Sequence, residues 1–140
     1  MVDYTAILTD FRKKLRAIPG YIGDGLMAWE DREFTPPNPV DKTTIWIQEA
    51  LIPISEILVA TNLVEARGFI QYTINTVEGL GSELSRSYPL LVADHFKPAT
   101  SIQGVYDIAI DRCERAKAVI QKPWRMVPVR ILWRTYASNP

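Results

Sequence analysis

The first pattern along the chain is an apolar stripe at helical spacing over residues 3–18. Asp3 can cap the start of a helix, and Pro19–Gly20 stops it. Arg12 and the basic residues around it lie mostly on the other side, which we interpret as a solvated face. The stripe consists of Tyr4, Ile7, Leu8, Phe11, Leu15 and Ile18. The pattern predicts an amphipathic helix.

Residues 20–42 have no regular period. They include the stretch WEDREFTPP at 29–37, in which charged residues separate two aromatics. Prolines at 36, 37 and 39 favour extended, polyproline-like backbone. We therefore predict irregular structure with an extended proline-rich arm at about residues 28–42, and a short extended piece around 26–29.

Two strands are predicted next. Residues 43–54, TTIWIQEALIPI, are rich in β-branched and aromatic residues, and Pro53 either ends the strand's pairing or places it at an edge. Residues 65–77 alternate, with Ile70 and Ile74 pointing one way and Asn75 the other. In the apolar connection between them, Ile57, Leu58 and Val59 either extend the hairpin, which we favour, or sit exposed.

The second half predicts a helix followed by two strands. The helical pattern begins at Ser82, and Pro89 implies either a kink or a helix that starts at Ser87. Residues 104–113 alternate as a half-buried strand, and 114–123 are expected to form a short hairpin loop or a single helical turn. Residues 124–136 form the closing strand.

These elements predict one domain of the α+β class over residues 1–140. We expect a sandwich: a mostly antiparallel sheet of four or more strands, with two helices packed on one face. The expected order is helix, strand, strand, helix, strand, strand.

Composition narrows the classes of function. Sixteen basic and sixteen acidic residues give a formal charge of zero, which argues against a dedicated nucleic-acid or membrane-surface binder. The single cysteine excludes an internal disulfide. We see no signal peptide and no apolar run long enough to span a bilayer, so we expect a soluble protein made in a cytoplasm.

Candidate chemistry is sparse. His95 and Cys113 are the only residues of their types, and they lie far apart in sequence without a ligand spacing. EGLGSE at 78–83 lacks the remainder of a phosphate-binding motif, and Asp107 and Asp111 fit the polar face of a strand. We expect no enzyme, no catalytic residue, no metal and no cofactor.

The polar face of the predicted sheet favours protein association instead. Aromatic residues, methionine and arginine are enriched where one protein buries surface against another. The alternative is that part of this face is covered by the chain's own terminal segment. The candidate interface residues, including two from the arm, are Trp29, Phe34, Trp46, Trp124, Met126, Arg130, Arg134 and Tyr136.

The order of elements resembles the tail terminator proteins of long-tailed bacteriophages. After the opening helix, AWEDREFTPP is similar to that family's lead-in, TTIWIQEALIP to its first strand and EARGFIQYTI to its second strand. EGLGSELSRSYPLLVADHF resembles its glycine-rich turn and helix, and WRMVPVRILWRTY its closing strand. The likeness covers nearly the whole chain, and its weight lies in the order of the motifs.

The resemblance implies a structural virion protein of the tail and neck. Proteins of that family form a ring, commonly of six copies, and the ring caps the tail tube, ends its growth and joins the tail to the head. Its partners would be itself, the tail tube protein, a neck or head-completion protein and, in a contractile tail, the sheath protein. DNA would pass the channel without specific binding, and no membrane is involved.

Other functions stay open at this point. The chain could be a head-completion protein, a neck connector or a tube-related protein of similar fold. A small ligand-binding α+β domain or enzyme is the distant alternative, and a deep pocket lined by paired ionisable groups would favour it. In the leading hypothesis the prolines hold Trp29 and Phe34 extended, so that they anchor on a neighbour or on their own subunit.

Overall fold

The computed structural model describes residues 2–138. Its helices are α1 (Tyr4–Arg16) and α2 (Leu84–His95), and a short 3₁₀ turn spans Asp24–Leu26. Its strands are β1 (Met27–Ala28), β2 (Ile45–Ala60), β3 (Leu63–Val77), β4 (Ser101–Ile102), β5 (Ile108–Arg115), β6 (Val119–Gln121) and β7 (Trp124–Ser138).

Helix α1 confirms the first prediction. The Asp3 carboxylate accepts hydrogen bonds from the amides of Thr5 and Ala6, at 3.0 and 3.3 Å, and so satisfies two free donors of the first turn. Three residues of the apolar stripe, Ile7, Phe11 and Leu15, are fully buried. The helix is therefore held by its packing against the sheet as well as by its cap.

One seven-stranded sheet organises the chain. Its order is β1-β2-β3-β7-β5-β4, and β6 pairs with the start of β7. β1 runs parallel to β2, whereas the other pairs are antiparallel. β2, β3 and β7 are the three longest strands, and they lie next to one another in the middle of this order.

The predicted α+β sandwich is wrong. Strands hold 45% of the residues and helices 20%, and the mixed sheet curls into a half-barrel. The sheet is not purely antiparallel, and its order differs from the predicted one because β4 and β6 were not predicted and the extended piece at 26–29 joins the sheet as β1. These strands have two or three residues each, which is too short for an alternating pattern to show.

Two prolines test the sequence prediction. Pro53 does not end β2 but lies at an edge, which was the second of the two predicted options: it lies opposite Gly68, beside a bulge, in the part of β2 that β1 does not cover, where no ladder needs its missing N–H. The hairpin extension through residues 57–60 is confirmed. α2 begins at Leu84 and continues through Pro89, so the option of a start at Ser87 is wrong, and the other option, a kink at Pro89, stays a prediction.

The third predicted strand was misplaced at both ends. It begins at Ile108 rather than 104 and runs to Arg115. Residues 114–123 form neither a plain loop nor a helical turn, since they contain β6.

The two faces of the sheet differ as the alternation predicts. The core face packs against both helices, and its central residues are Ile47, Ile70, Tyr72, Ile74, Val129, Ile131 and Trp133. The outer face is the opposite one, and it carries Trp46, Gln71, Thr73, Asn75, Met126, Arg130, Arg134 and Tyr136. Six of the eight candidate interface residues lie on this outer face: Trp46, Trp124, Met126, Arg130, Arg134 and Tyr136.

Candidate interaction surface

One end of the outer face carries a cluster of aromatic side chains. Trp46 of β2 lies across from Asn75 of β3, and Asn75 lies across from Met126 of β7. Trp124 meets Trp46 edge-on, with ring centroids 5.8 Å apart. Phe34 of the arm stacks on the other side of Trp46 at 5.3 Å. We call Phe34, Trp46, Trp124 and Met126 the aromatic patch.

The layer below the patch is polar. The Asn75 side-chain amide donates to the carbonyl oxygens of Trp46 and Thr73, at 3.3 and 3.0 Å. Its own oxygen and the Trp46 indole N–H are buried without a hydrogen-bond partner. Trp46 is thus the covered floor of the patch, while Phe34, Trp124 and Met126 remain half-buried and offer apolar area to a partner.

Trp29 does not belong to the patch, although it comes from the same arm. It is 4% exposed and belongs to the core beneath α1. The guanidinium groups of Arg12 and Arg16 both lie over its ring, 4.9 and 5.1 Å from the ring centroid. The arm therefore crosses the β2 edge of the sheet, with one aromatic on each face. This arrangement anchors both aromatics on their own subunit, which was one of the two options predicted.

The edge that the arm crosses is partly closed by side chains. The Glu30 carboxylate accepts a hydrogen bond from the Leu51 amide at 3.1 Å, in the place where a neighbouring strand would offer a carbonyl. Two residues later Pro53 has no amide hydrogen to offer. Beyond β1, no other strand among residues 2–138 pairs with this edge.

A buried ion pair fixes the arm to α1 and β2. The Glu49 side chain is fully buried on the core side, and Arg12 donates to it from Nε and from a terminal nitrogen, the shorter bond being 2.6 Å. The same guanidinium reaches Asp31 of the arm at 3.0 Å. Because the guanidinium group donates to the carboxylate from two nitrogens, the interaction is strong and its geometry is specific.

The remaining candidate residues lie towards the other end of the outer face, and each has a polar partner. Arg130 donates to Gln71 at 2.9 Å, and Arg134 approaches Asp111 at 3.3 Å. The Tyr136 hydroxyl donates to Glu65 at 2.9 Å. This region forms a polar network, which is the composition expected of an interface rim rather than of its centre.

The pKa of the Glu65 carboxyl is lowered in this network. The hydrogen bond from Arg67, at 2.6 Å, is the main cause, and the bond from Tyr136 adds to it. Both favour the ionised carboxylate.

Sequence reasoning singled out the aromatic patch but gave too little weight to the β2–β3 hairpin. Ile54, Ile57, Leu58 and Val59 are between 48% and 60% exposed. Ile57 lies opposite Glu65, whose face is the outer one, and Leu58 opposite Val64 on the other face, so β2 exposes apolar side chains on both faces of the hairpin. The signal was present as an unusually apolar connection, SEILVATN.

The residues considered for chemistry have local roles. His95 Nε2 lies 2.7 Å from the Lys14 carbonyl oxygen, which ties the end of α2 to α1. Burial raises the pKa of the Cys113 thiol to about 11, so little reactive thiolate forms near neutral pH. Gly79 and Gly81 have φ angles of 84° and 66°, values that the turn before α2 requires. Asp107 falls just before β5, so the prediction that it shares the polar face of one strand with Asp111 is wrong.

The described residues assemble no obvious metal centre or membrane span. Residues 2–138 bring together no group of three or more His, Cys, Asp or Glu side chains able to hold a metal ion. Over the same residues, neither helix has the length and apolar character that crossing a bilayer requires.

Comparison with known proteins adds a likeness of fold. No family model and no curated protein matches this chain. A solved structure, of a protein whose name states no function, is similar to it with a TM-score of 0.72 and 14% sequence identity. The similarity covers 96% of each chain, so the whole half-barrel with its two helices is shared.

Proposed function

We propose that this protein is a structural subunit that assembles with copies of itself. The observation that carries the proposal is the β2–β3 hairpin, where Ile54, Ile57, Leu58 and Val59 of β2 extend beyond the core and are exposed to solvent. Contiguous exposed apolar surface of this kind marks interaction sites in soluble proteins.

The outer face supports the same function. Its aromatic patch offers the side-chain types that dominate binding energy at protein interfaces, and the polar network around Arg134 and Glu65 has the composition of a rim. A formal charge of zero also leaves little long-range repulsion between copies.

Following the resemblance of its motifs, we further propose a tail terminator of a long-tailed phage. A ring, with six copies as the expected number, would sit on the last ring of the tail tube, end tube growth and present a surface to the neck. The partners would be the tube protein, a neck or head-completion protein and, in a contractile tail, the sheath. The protein would act in the virion, with no cofactor and no reaction of its own.

The test combines light scattering with negative-stain imaging. The purified protein is measured over a wide concentration range, alone and with tail tube protein, and tube protein alone is the control. We expect rings, either free or at tube ends, and shorter tubes when the protein is in excess. A compact monomer at every concentration, with no effect on the tubes, would contradict the proposal. Rings that leave tube length unchanged would favour a neck connector.

A further inference from the structure

We infer that the hairpin of one copy docks on the aromatic patch of the next copy, head to tail. This contact rests on the self-assembly proposed above and specifies which two surfaces meet. The hairpin tip is defined here as residues 54–63, and its partner as the aromatic patch together with Val119 of β6.

Val119 lies beside the aromatic patch on the same face of the sheet. β6 pairs with β7 so that Val119 lies directly across from Met126, which places it on the outer face beside the patch. It is 56% exposed. With the half-buried Trp124, it extends the apolar area of the patch to the rim of the sheet.

The hairpin tip and the patch lie far apart on one subunit. Ile57 of the tip lies across from Glu65, whereas Trp46 and Met126 of the patch lie across from Asn75. Glu65 and Asn75 are ten residues apart on β3, so the two surfaces are separated by roughly 33 Å along the sheet at about 3.3 Å per residue. One surface can therefore cover the other only if they belong to different copies.

The hairpin tip and the segment beside the patch carry opposite charges. The hairpin tip has one charged residue, the exposed Glu56, and no basic residue. The segment beside the patch, residues 115–122, has three basic residues, Arg115, Lys117 and Lys122, and no acid. All three are exposed. Among residues 2–138 none of the three forms an ion pair within 4 Å. Docking would bring opposite charges together at the rim of an apolar contact.

The geometry also fits a closed assembly. A contact between two different patches is heterologous, and copies related by such a contact form a ring when the rotation closes. A hairpin meeting a second hairpin would instead be self-complementary and would stop at a dimer.

The experiment uses two variants that each damage one side of the contact. Ile57→Asp/Val59→Asp changes the hairpin tip, and Val119→Asp changes the patch. All three positions are solvent-exposed in the subunit, so the fold should be retained, which circular dichroism and a thermal melt check. The matched control is Leu90→Asp on α2, since Leu90 is 45% exposed and lies on the helix layer away from both surfaces.

We expect each variant alone to weaken assembly roughly 30-fold or more, because an unpaired aspartate would be buried in the contact. The Leu90→Asp control should assemble like the unmodified protein. Mixing the two variants should give one-to-one heterodimers and nothing larger, since only one intact hairpin and one intact patch remain in each pair.

Several results would overturn the inference. If the unmodified protein assembles and the hairpin variant does so equally well, this contact is wrong while self-assembly stands. If each variant alone is monomeric but the mixture forms no heterodimer, the two surfaces do not meet. If the unmodified protein stays monomeric at all concentrations and on tube protein, both this contact and the proposed function fail.

Discussion

Arg12 holds the fully buried carboxylate of Glu49 through a two-nitrogen contact, 2.6 Å at its shortest, beneath the first helix. The Arg12 side chain is itself only 12% exposed. If one member of the pair is removed, little water is therefore available to solvate the charge of the other.

We predict that Arg12→Ala lowers the free energy of unfolding by about 3 kcal/mol, because it leaves a buried carboxylate without a counter-charge. Arg16→Ala is the matched control. Arg16 also lies over Trp29, but its ion pair with Asp24 is largely solvated, so its loss should cost less than about 1 kcal/mol. Urea denaturation measures both, and equal losses would show that the buried pair contributes nothing special.

The two arm aromatics should differ in the same measurement. Trp29→Ala removes a buried core side chain and should cost about 3–5 kcal/mol. Phe34→Ala loses one stacking contact with Trp46 at a half-buried position, so we expect about 1 kcal/mol. If neither change affected stability or assembly, the arm would have no anchoring role.

Gly68 should tolerate no side chain. A Cβ there would lie 2.7 Å from the Ile52 carbonyl oxygen and 2.7 Å from the Trp133 ring. Since a backbone atom and a buried indole are the obstacles, Gly68→Ala should destabilise by about 1–3 kcal/mol. Gly25→Ala is the control, because its Cβ would meet nothing within 4 Å. A thermal melt in which both variants match the unmodified protein would refute this.

Acid should weaken the polar end of the outer face. The bonds from Arg67 and Tyr136 lower the pKa of Glu65 below its ordinary 4.5, so its contribution to stability is complete above that pH. It is lost as the pH falls through the lower, folded-state pKa. Glu65→Gln should therefore be less stable than the unmodified protein at pH 7, and the difference should shrink at pH 3. Chemical denaturation at the two pH values tests this, and a constant difference would contradict it.

The sequence pattern predicted the elements whose burial alternates over many residues. Tyr4–Arg16 and Trp124–Ser138 both follow long, regular patterns, and both elements were predicted close to their observed bounds. Long alternation records one buried face directly, so local reasoning is sufficient for these elements.

Non-local pairing was beyond the same reasoning. Met27–Ala28 forms a parallel strand only because residues 47–48 lie beside it, and this pairing brings Trp29 under α1. The short Val119–Gln121 strand likewise depends on the start of β7. The site was recovered in part: the outer-face residues of β7 were identified, whereas Val119 and the hairpin tip were not. Their exposure depends on where the helices stop, which the periodicity does not record.

The closed stretch of the β2 edge has a consequence for how copies can add to one another. The Leu51 amide already donates to Glu30, and Pro53 has no amide hydrogen. A strand from another molecule would therefore lack two successive main-chain hydrogen bonds from this edge. Open-ended fibril growth by strand addition is therefore disfavoured along this border. Assembly of copies must then depend on contacts between side chains, and the geometry of such contacts can fix the number of copies in the assembly.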